Sequence, residues 1–297
     1  MIDYRSAQAV AMVVRTGSFE RAARALNVTP SAVSQRVKQI EERLGAALVV
    51  RGNPCRATMH GEYLLRHIER IGLLENELAA HLPDLMPSES FERPTITIAA
   101  NSELVGRWVL EAVKLFTQHS SFLVDISVSD DATVKEKLRL GEILAAITLG
   151  DDVIDGHEAV SVGRLRCMAV ATPNFANQYF TGGVTSESVR GAPGLVLTER
   201  DALSAQWTRL AFGEEVYCSD HRIPSTMAIL EATLTSMGWS LLPVHLVKSH
   251  LASGVLVELI PGRPLVLQVL WQVNVVASTA LMRLTENITT LSQRYLE

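Results

Sequence analysis

Apolar residues in the first 82 positions recur at helical spacing, and the breaks between runs carry capping residues. Ala9, Val10, Val13 and Val14 set a helical period that predicts a helix over 5–16, closed by Gly17. Ser18 suits the N-cap of a second helix with Glu20 in its first turn. Phe19, Ala23 and Leu26 form its one apolar face, and small Ala22 and Ala23 let another helix approach closely. Asn27-Val28-Thr29-Pro30 breaks the pattern. Thr29 can cap a third helix and Pro30 fits its first turn. That helix is expected over about 30–44, with Val33, Val37, Ile40 and Leu44 on one face. Ala47–Arg51 and Cys55–Thr58 then read as two short strands around Gly52-Asn53-Pro54, flanked by Arg51 and Arg56. Cys55 reads as a small, half-buried filler.

Thr58 can cap a long helix reaching about Leu82. Leu64, Ile68, Ile71, Leu78 and Leu82 keep a near-heptad stripe, with Leu65 and Leu74 beside it and Glu75 interrupting it. The width of that face favours pairing with a second helix; packing against the chain's own body is the alternative. Residues 83–94, PDLMPSESFERP, are the clearest linker. Beyond them the pattern alternates: strand 95–100, helix 103–118, strand 123–128, helix 133–140, strand 143–149. That order implies a parallel sheet. A second lobe is expected from about 164, with strands at 167–171, 194–198, 216–219 and 240–242 and helices at 174–179, 203–212 and 226–237. A β-rich run at 265–276 and a last helix, capped by Ser278 or Thr279 and carrying Leu281, Leu284, Ile288 and Leu291, return to the first lobe. The expected organisation is therefore a head over 1–58, a connecting helix over 59–82, a hinge over 83–94 and a body over 95–297. Within the body, lobe 1 takes 95–163 and 266–297, and lobe 2 takes 164–265.

Charge sharpens this picture. The chain has 297 residues and a formal net charge of -5, but residues 1–70 carry +5 and residues 71–297 carry -10. A basic head on an acidic body suggests a head that meets a polyanion. Hydrophobic residues at 47% and charged residues at 20% exclude disordered, collagen-like and disulfide-scaffold classes. No apolar run approaches the ~18 residues of a membrane helix, and the amino terminus shows no export signal. Three scattered cysteines, without a CxxC pair, fit reduced cytosolic thiols. The sequence holds no GxxxxGK[ST], GxGxxG, GxSxG or HExxH, and its histidines lack metal-ligand spacing, so neither an enzyme nor a cofactor is expected.

The face of the third helix opposite its apolar stripe carries Ser31, Ser34, Gln35 and Lys38. Small hydroxyls permit close approach to DNA, Gln35 can pair with an adenine edge, and Lys38 can reach guanine or phosphate. Two helices, a tight turn and such a third helix describe a helix-turn-helix; the alternative is a three-helix bundle with a solvated face. Arg51 and Arg56 would form a basic wing for phosphate or the minor groove.

The run from Ser18 to Leu26, then Thr29-Pro30-Ser31-Ala32-Val33-Ser34-Gln35-Arg36-Val37-Lys38-Gln39-Ile40-Glu41, then Leu44-Gly45 and Leu48–Arg51, resembles the winged helix-turn-helix of LysR-type transcriptional regulators. Ser31–Arg36, Arg51 and Pro54–Thr58 resemble the lysine and arginine export regulator subgroup, as do Asn101, Trp108, Asp130, Gly238-Trp239 and Trp271-Gln272. The resemblance implies an all-α winged helix-turn-helix with a long linker helix, followed by a two-lobed α/β, periplasmic-binding-protein-like effector domain. It implies double-stranded promoter DNA with inverted-repeat half-sites as partner, and a homodimer that assembles as a dimer of dimers. RNA polymerase is a compatible further partner. A bacterial cytoplasmic, nucleoid-associated location and no membrane contact follow from the same resemblance. By position, Ser31, Ser34, Gln35 and Lys38 would face base edges or nearby backbone, and Arg51 would be the wing arginine.

Physics places a ligand of such a body at the carboxyl ends of its strands, near helix starts. Those places hold Asn101, Ser102, Glu103, Asp130, Asp131 and Thr148 in lobe 1, and Thr198, Ser225 and Thr226 in lobe 2. Hydroxyls and helix-start amides suit a carboxylate; Glu103, Asp130 and Asp131 suit an ammonium or guanidinium. The expected effector is thus an amino acid, with lysine or arginine implied by the resemblance. Leu104, Ser129 and Met227-Ala228 depart from that subgroup's pattern. Two other functions fit parts of the sequence: an architectural or replication-origin protein that coats DNA without an effector, and a solute-binding protein, which would lack the basic head.

Overall fold

The computed structural model describes residues 2–82, 95–120, 122–197 and 202–296. Two compact units result: one of Met1–Ile96, Ser121–Leu123 and Val276–Ala280, the other of Thr97–Ser120, Val124–Val275 and Leu281–Glu297.

In the first unit, α1 (Tyr4–Thr16), α2 (Phe19–Ala25) and α3 (Pro30–Leu44) precede a two-stranded wing of β1 (Val49–Val50) and β2 (Arg56–Ala57), then α4 (Met59–His81). Local chemistry sets these boundaries. Asp3 caps α1, and Gly17 ends it with φ +68°. Ser18 accepts from Arg21 N, and Thr29 accepts from Ala32 N ahead of Pro30. Thr58 Oγ1 accepts from Gly61 N and donates to Ala47 O, so one hydroxyl caps α4 and ties it to the start of the wing. Ala7, Val10, Val13, Ala22, Ala23, Val33, Val37, Ile40 and Leu48 form one buried core. Leu64 of α4 belongs to that core and Ile68 packs against it. The near-heptad stripe therefore divides: its first part packs on the head, while Leu78, Leu82 just past α4 and the neighbouring Leu74 are exposed.

The second unit is built on a nine-stranded sheet. Its strands are β3 (Thr95–Ala100), β4 (Leu123–Val128), β5 (Ala145–Leu149), β6 (His157–Ala171), β7 (Gly194–Val196), β8 (Asp220–Arg222), β9 (Trp239–Pro243), β10 (Val257–Glu258) and β11 (Leu265–Asn274). They run in the order β4-β3-β5-β11-β6-β9-β7-β8, with β10 paired to β6. β3 and β5 are parallel, as the alternating pattern implies, and β7 is parallel to both β8 and β9. Two long antiparallel strands, β6 and β11, run through both halves of the sheet. Their register shifts between Val269 and Leu270, opposite Gly163 and Ser161, so the bulge lies where the expected boundary between lobes falls.

The helices of this unit are α5 (Arg107–Gln118), α6 (Asp131–Arg139), α7 (Pro173–Tyr179), α8 (Ser186–Gly191), α9 (Ala202–Phe212), α10 (Thr226–Leu234), α11 (Val244–Ala252) and α12 (Met282–Ser292). α12 packs on α5, with Asn287 Nδ2 donating to Ala112 O, so the chain's end returns to the first half of the sheet. All four tryptophans are at most 2% exposed. Trp207 and Trp239 rings lie 5.5 Å apart, and Trp271 Nε1 donates to Thr285 Oγ1 of α12.

Several expected elements differ. The strand expected at 216–219 forms instead at Asp220–Arg222; Val216 is buried, its N–H donating to Thr208 Oγ1 of α9. That edge strand is exposed on every residue, so no apolar alternation marks it. The last helix starts at Met282 after Leu281 without a side-chain cap, rather than on Ser278 or Thr279, because Val275–Ala277 forms a short 3-10 turn first. α8 and α11 were not expected: α8 is only 6 residues long, and α11 follows β9 directly at Pro243 with no intervening turn.

Candidate functional site

Two candidate surfaces emerge, one on each unit. On the first, Ser31, Gln35, Lys38, Arg51 and Arg56 are exposed and Ser34 is half-buried. The Ser31 and Thr29 hydroxyls share a hydrogen bond at the helix start. Lys38 makes an exposed pair with Glu42 at 3.5 Å, worth little in water and easily exchanged for another anion. The Arg51 guanidinium lies 5.3 Å from the centroid of the Phe19 ring, which orients it against α2.

Glu41, which the sequence pattern did not single out, fixes the wing to α3. Its Oε1 accepts from Leu48 N at 2.8 Å and from Val49 N at 3.1 Å. The turn of the wing is anchored too, Cys55 N donating to Gly17 O at 2.9 Å. Glu41→Ala should therefore free two amides at the first wing strand and cost about 1.5–3 kcal/mol. Glu41→Gln, which keeps an acceptor oxygen, should retain most of the stability. Thermal melts of both variants check this, and equal loss in the two would contradict the anchoring role.

On the second unit, the sites named on opposite lobes meet at one point. Ser102 Oγ and Thr226 Oγ1 share a 2.7 Å hydrogen bond across 124 residues. Asn101 is buried, and its Oδ1 accepts from Leu104 N, holding the turn after β3. Ser225 caps α10 through Ala228 N, and Thr226 opens that helix. Glu103 is half-buried. Asp130 caps α6, accepting from Thr133 N and Thr133 Oγ1. Burial pushes its carboxyl up, but the Thr133 hydroxyl and backbone bonds outweigh that and hold it below the usual aspartate value. Thr148 is fully buried and accepts from Gln272 Nε2 at 2.8 Å. Thr198 lies outside the described residues. Among the described residues, no group of three or more His, Cys, Asp or Glu could hold a metal ion, and no helix is long and apolar enough to cross a membrane.

Residues 4–62 match the bacterial regulatory helix-turn-helix protein, lysR family, and residues 90–287 match the LysR substrate binding domain. The chain belongs to the LysR-type transcriptional regulators. Its relatives are regulators, not enzymes. It is 33% identical over 271 residues to the HTH-type transcriptional regulator ArgP of Pseudomonas fluorescens, covering 91% of this chain and 90% of the relative. The crystal structure of ArgP from Mycobacterium tuberculosis superposes with a TM-score of 0.81 at 32% identity, over 100% of this chain and 99% of that one. Full-length LysG from Corynebacterium glutamicum, solved with bound effector Arg, gives a TM-score of 0.70 at 28% identity over the whole of both chains. These relatives fall within the subgroup that the sequence resembles.

In this LysR-type regulator the acids at the start of α6 are not equivalent. Asp131 pairs with Lys135 at 3.0 Å and also accepts from Leu149 N. Lys135 further donates to Leu149 O and pairs with Asp152 at 3.1 Å. Burial pulls the Lys135 ammonium down, but Asp131 and Asp152 together hold it above the usual lysine value. An internal cation thus already serves Asp131, which the sequence had offered to an incoming ammonium. Gln272, marked in the sequence only by the resemblance, is the other organiser. Fully buried, it donates to Thr148 Oγ1 and Asp152 O and accepts from Ile154 N, so it fixes the end of β5 and the loop beyond it.

Proposed function

We propose that this LysR-type regulator senses a basic amino acid in the cleft marked by Ser102 and Thr226, and controls a gene of amino-acid export or metabolism. The single observation that carries the reading is the Ser102–Thr226 hydrogen bond, which sets two predicted rim residues at contact distance. Both hydroxyls, with the amides that open α10, offer donors to an α-carboxylate. Glu103 and Asp130 offer negative charge to the far end of the ligand, while Asn101 and Thr148 shape the floor. Thr198 and Ser225 complete the proposed set. The arginine-bound LysG relative supports a guanidinium-bearing ligand.

DNA would be met by Ser31, Ser34, Gln35 and Lys38 in the major groove and by Arg51 and Arg56 on the backbone or minor groove. Exposed Leu74, Leu78 and Leu82, spaced by four at the end of α4 and just past it, suit self-pairing into a dimer whose two heads reach half-sites ~34 Å apart or a multiple of that. A tetramer would follow as a dimer of dimers, acting in the cytoplasm on nucleoid DNA and meeting RNA polymerase at the promoter. Coupling of about 1–3 kcal/mol between cleft and heads suffices to change promoter occupancy several-fold.

Calorimetric titration with L-arginine and L-lysine tests the sensing half. Saturable binding of one of them is expected, with Ser102→Ala weakening it by about tenfold through loss of a charge-assisted hydrogen bond. Absence of binding by both, or an unchanged affinity in the variant, would contradict the site. On the DNA side, Gln35→Ala should lose about 1–3 kcal/mol at one base pair and relax selectivity there. Arg51→Ala should weaken binding to all sequences and flatten the salt slope by about 1. Equal loss on random duplex in the Gln35 variant would remove it from base readout.

A further inference from the structure

The second unit holds a concentration of positive charge that effector sensing and DNA reading leave unused. A cavity of about 210 Å3 is lined by Arg164, Arg166, His245, Lys248, Arg294 and Tyr295, among others. Three elements supply these groups. Arg164 and Arg166 are two apart on β6 and so share a face of the strand. His245 and Lys248 are three apart on α11 and so share a face of the helix. Arg294 and Tyr295 sit in the turn after α12, which is held by Arg294 N donating to Leu291 O and Tyr295 N to Ser292 O. None of the lining side chains among the described residues is acidic. Residues 71–297 carry a net -10, so this clustering is not a by-product of a basic surface. Like charges at Arg164, Lys248 and Arg294 around one hollow repel each other, and a counter-anion relieves that repulsion. Pro243 stands at the N-cap of α11 without a side-chain capping bond, which leaves the opening amides of that helix uncapped by any side chain beside the same cavity.

We propose that this cavity binds a small multivalent anion, a phosphate-bearing or polycarboxylate metabolite, at a site separate from the amino-acid cleft. Its size suits a small occupant, since sites for drug-sized ligands run to about 300–1,000 Å3. Arginine forks recognise carboxylate and phosphate alike, so both arms of the class share one chemistry. The placement gives such an anion leverage. α11 packs on β9 and β6 in one half of the sheet, whereas α12 packs on α5 in the other. An anion held between Lys248 and Arg294 therefore links the two halves beside β6, which runs through both. Binding there and binding in the cleft would be coupled with equal strength in both directions.

The test uses the full chain with pyrophosphate and citrate as probes, at constant ionic strength set with chloride. Each multivalent probe is followed by thermal shift and calorimetry against acetate as the monovalent control. A saturable rise in melting temperature with pyrophosphate, citrate or both is expected, and none with acetate. The exposed pair Arg164→Gln and Arg294→Gln, changed together, should weaken that binding by about tenfold or more while the circular dichroism spectrum stays native. Binding of pyrophosphate alone assigns the phosphate class, and binding of citrate alone assigns the polycarboxylate class. No saturable response to either probe, or an unaltered response in the double variant, overturns the proposal. So does a double variant that binds the anion normally but changes assembly mass by sedimentation, or loss confined to duplex DNA binding, because the charges would then serve an interface or the DNA. Arginine titration of the same variant keeps this outcome distinct from failure of the effector reading.

Discussion

Gly61→Val is expected to unseat the wing from α4 and abolish sequence-specific DNA binding. A Cβ at this position would overlap the Leu48 carbonyl oxygen and stand 3.2 Å from the Ala57 Cβ. Neither neighbour can yield freely. The Leu48 carbonyl accepts from Thr58 N at 2.9 Å, and Thr58 is bound through its hydroxyl to Ala47 O and Gly61 N. The intruding group meets backbone on the side where α4 joins the wing, so helix and wing must part. Overpacking of this kind costs about 3 kcal/mol. Because Arg51 and Arg56 ride on the wing, they would leave register with α3, and specific affinity should fall with stability. Gly72→Ala on the same helix is the control: an added Cβ there meets nothing within 4 Å, and loss of glycine's extra chain freedom should be neutral to slightly stabilising. Thermal melts and operator binding of the two variants separate them, and a Gly61 variant that melts and binds like native would show that the wing is not held as described.

Trp271→Ala should be the most damaging change in the body. The side chain is fully buried on β11, in register with Ile147 of β5 and Val160 of β6, and its Nε1 reaches Thr285 on α12 at 2.9 Å. Removing it opens a cavity between sheet and helix and leaves Thr285 without this donor, a loss of about 3–5 kcal/mol. Trp271→Phe, which fills most of the volume, should lose about 1–2 kcal/mol, mainly the hydrogen bond. The adjacent Gln272 positions Thr148 and the loop at Ile154, so effector affinity should fall with the alanine variant even below its melting temperature. Urea denaturation monitored by fluorescence of the remaining tryptophans measures the stability losses and calorimetric titration the affinity, and a loss below about 1 kcal/mol in the alanine variant would contradict the packing role.

Which parts were legible in the sequence follows from how local their chemistry is. Ser18, Thr29 and Thr58 all cap the helices expected of them, because a cap acts within three residues of itself. The strand-helix alternation through Leu149 was readable because α5 and α6 bury one face at helical spacing while β3 and β5 are short, nearly continuous apolar runs. Contacts made only by folding left no such mark. Glu41 reaches Leu48 and Val49 around the end of α3, and Lys135 reaches Asp152 across 17 residues, so neither contact is visible as a motif. Gln272 came forward only through family resemblance; its hydrogen bonds to Thr148 and Ile154 span more than 100 residues. The meeting of Ser102 with Thr226 was foreseeable as two strand-end positions, since ligand sites collect at the carboxyl edge of such sheets. Asp131 does not stand open to a ligand, because Lys135, four residues on, is only 12% exposed at its side chain and pairs with it at 3.0 Å.

Protection mapping of the DNA upstream of the protein's own gene, with and without arginine, tests most directly whether a ligand sensed by the body governs what the head reads. The expected pattern is a discrete footprint over paired half-sites about 34 Å apart or a multiple of it, altered in extent or affinity by the amino acid and lost in Gln35→Ala. Continuous coverage without a site, or equal affinity for scrambled duplex at moderate salt whether or not arginine is present, would contradict it.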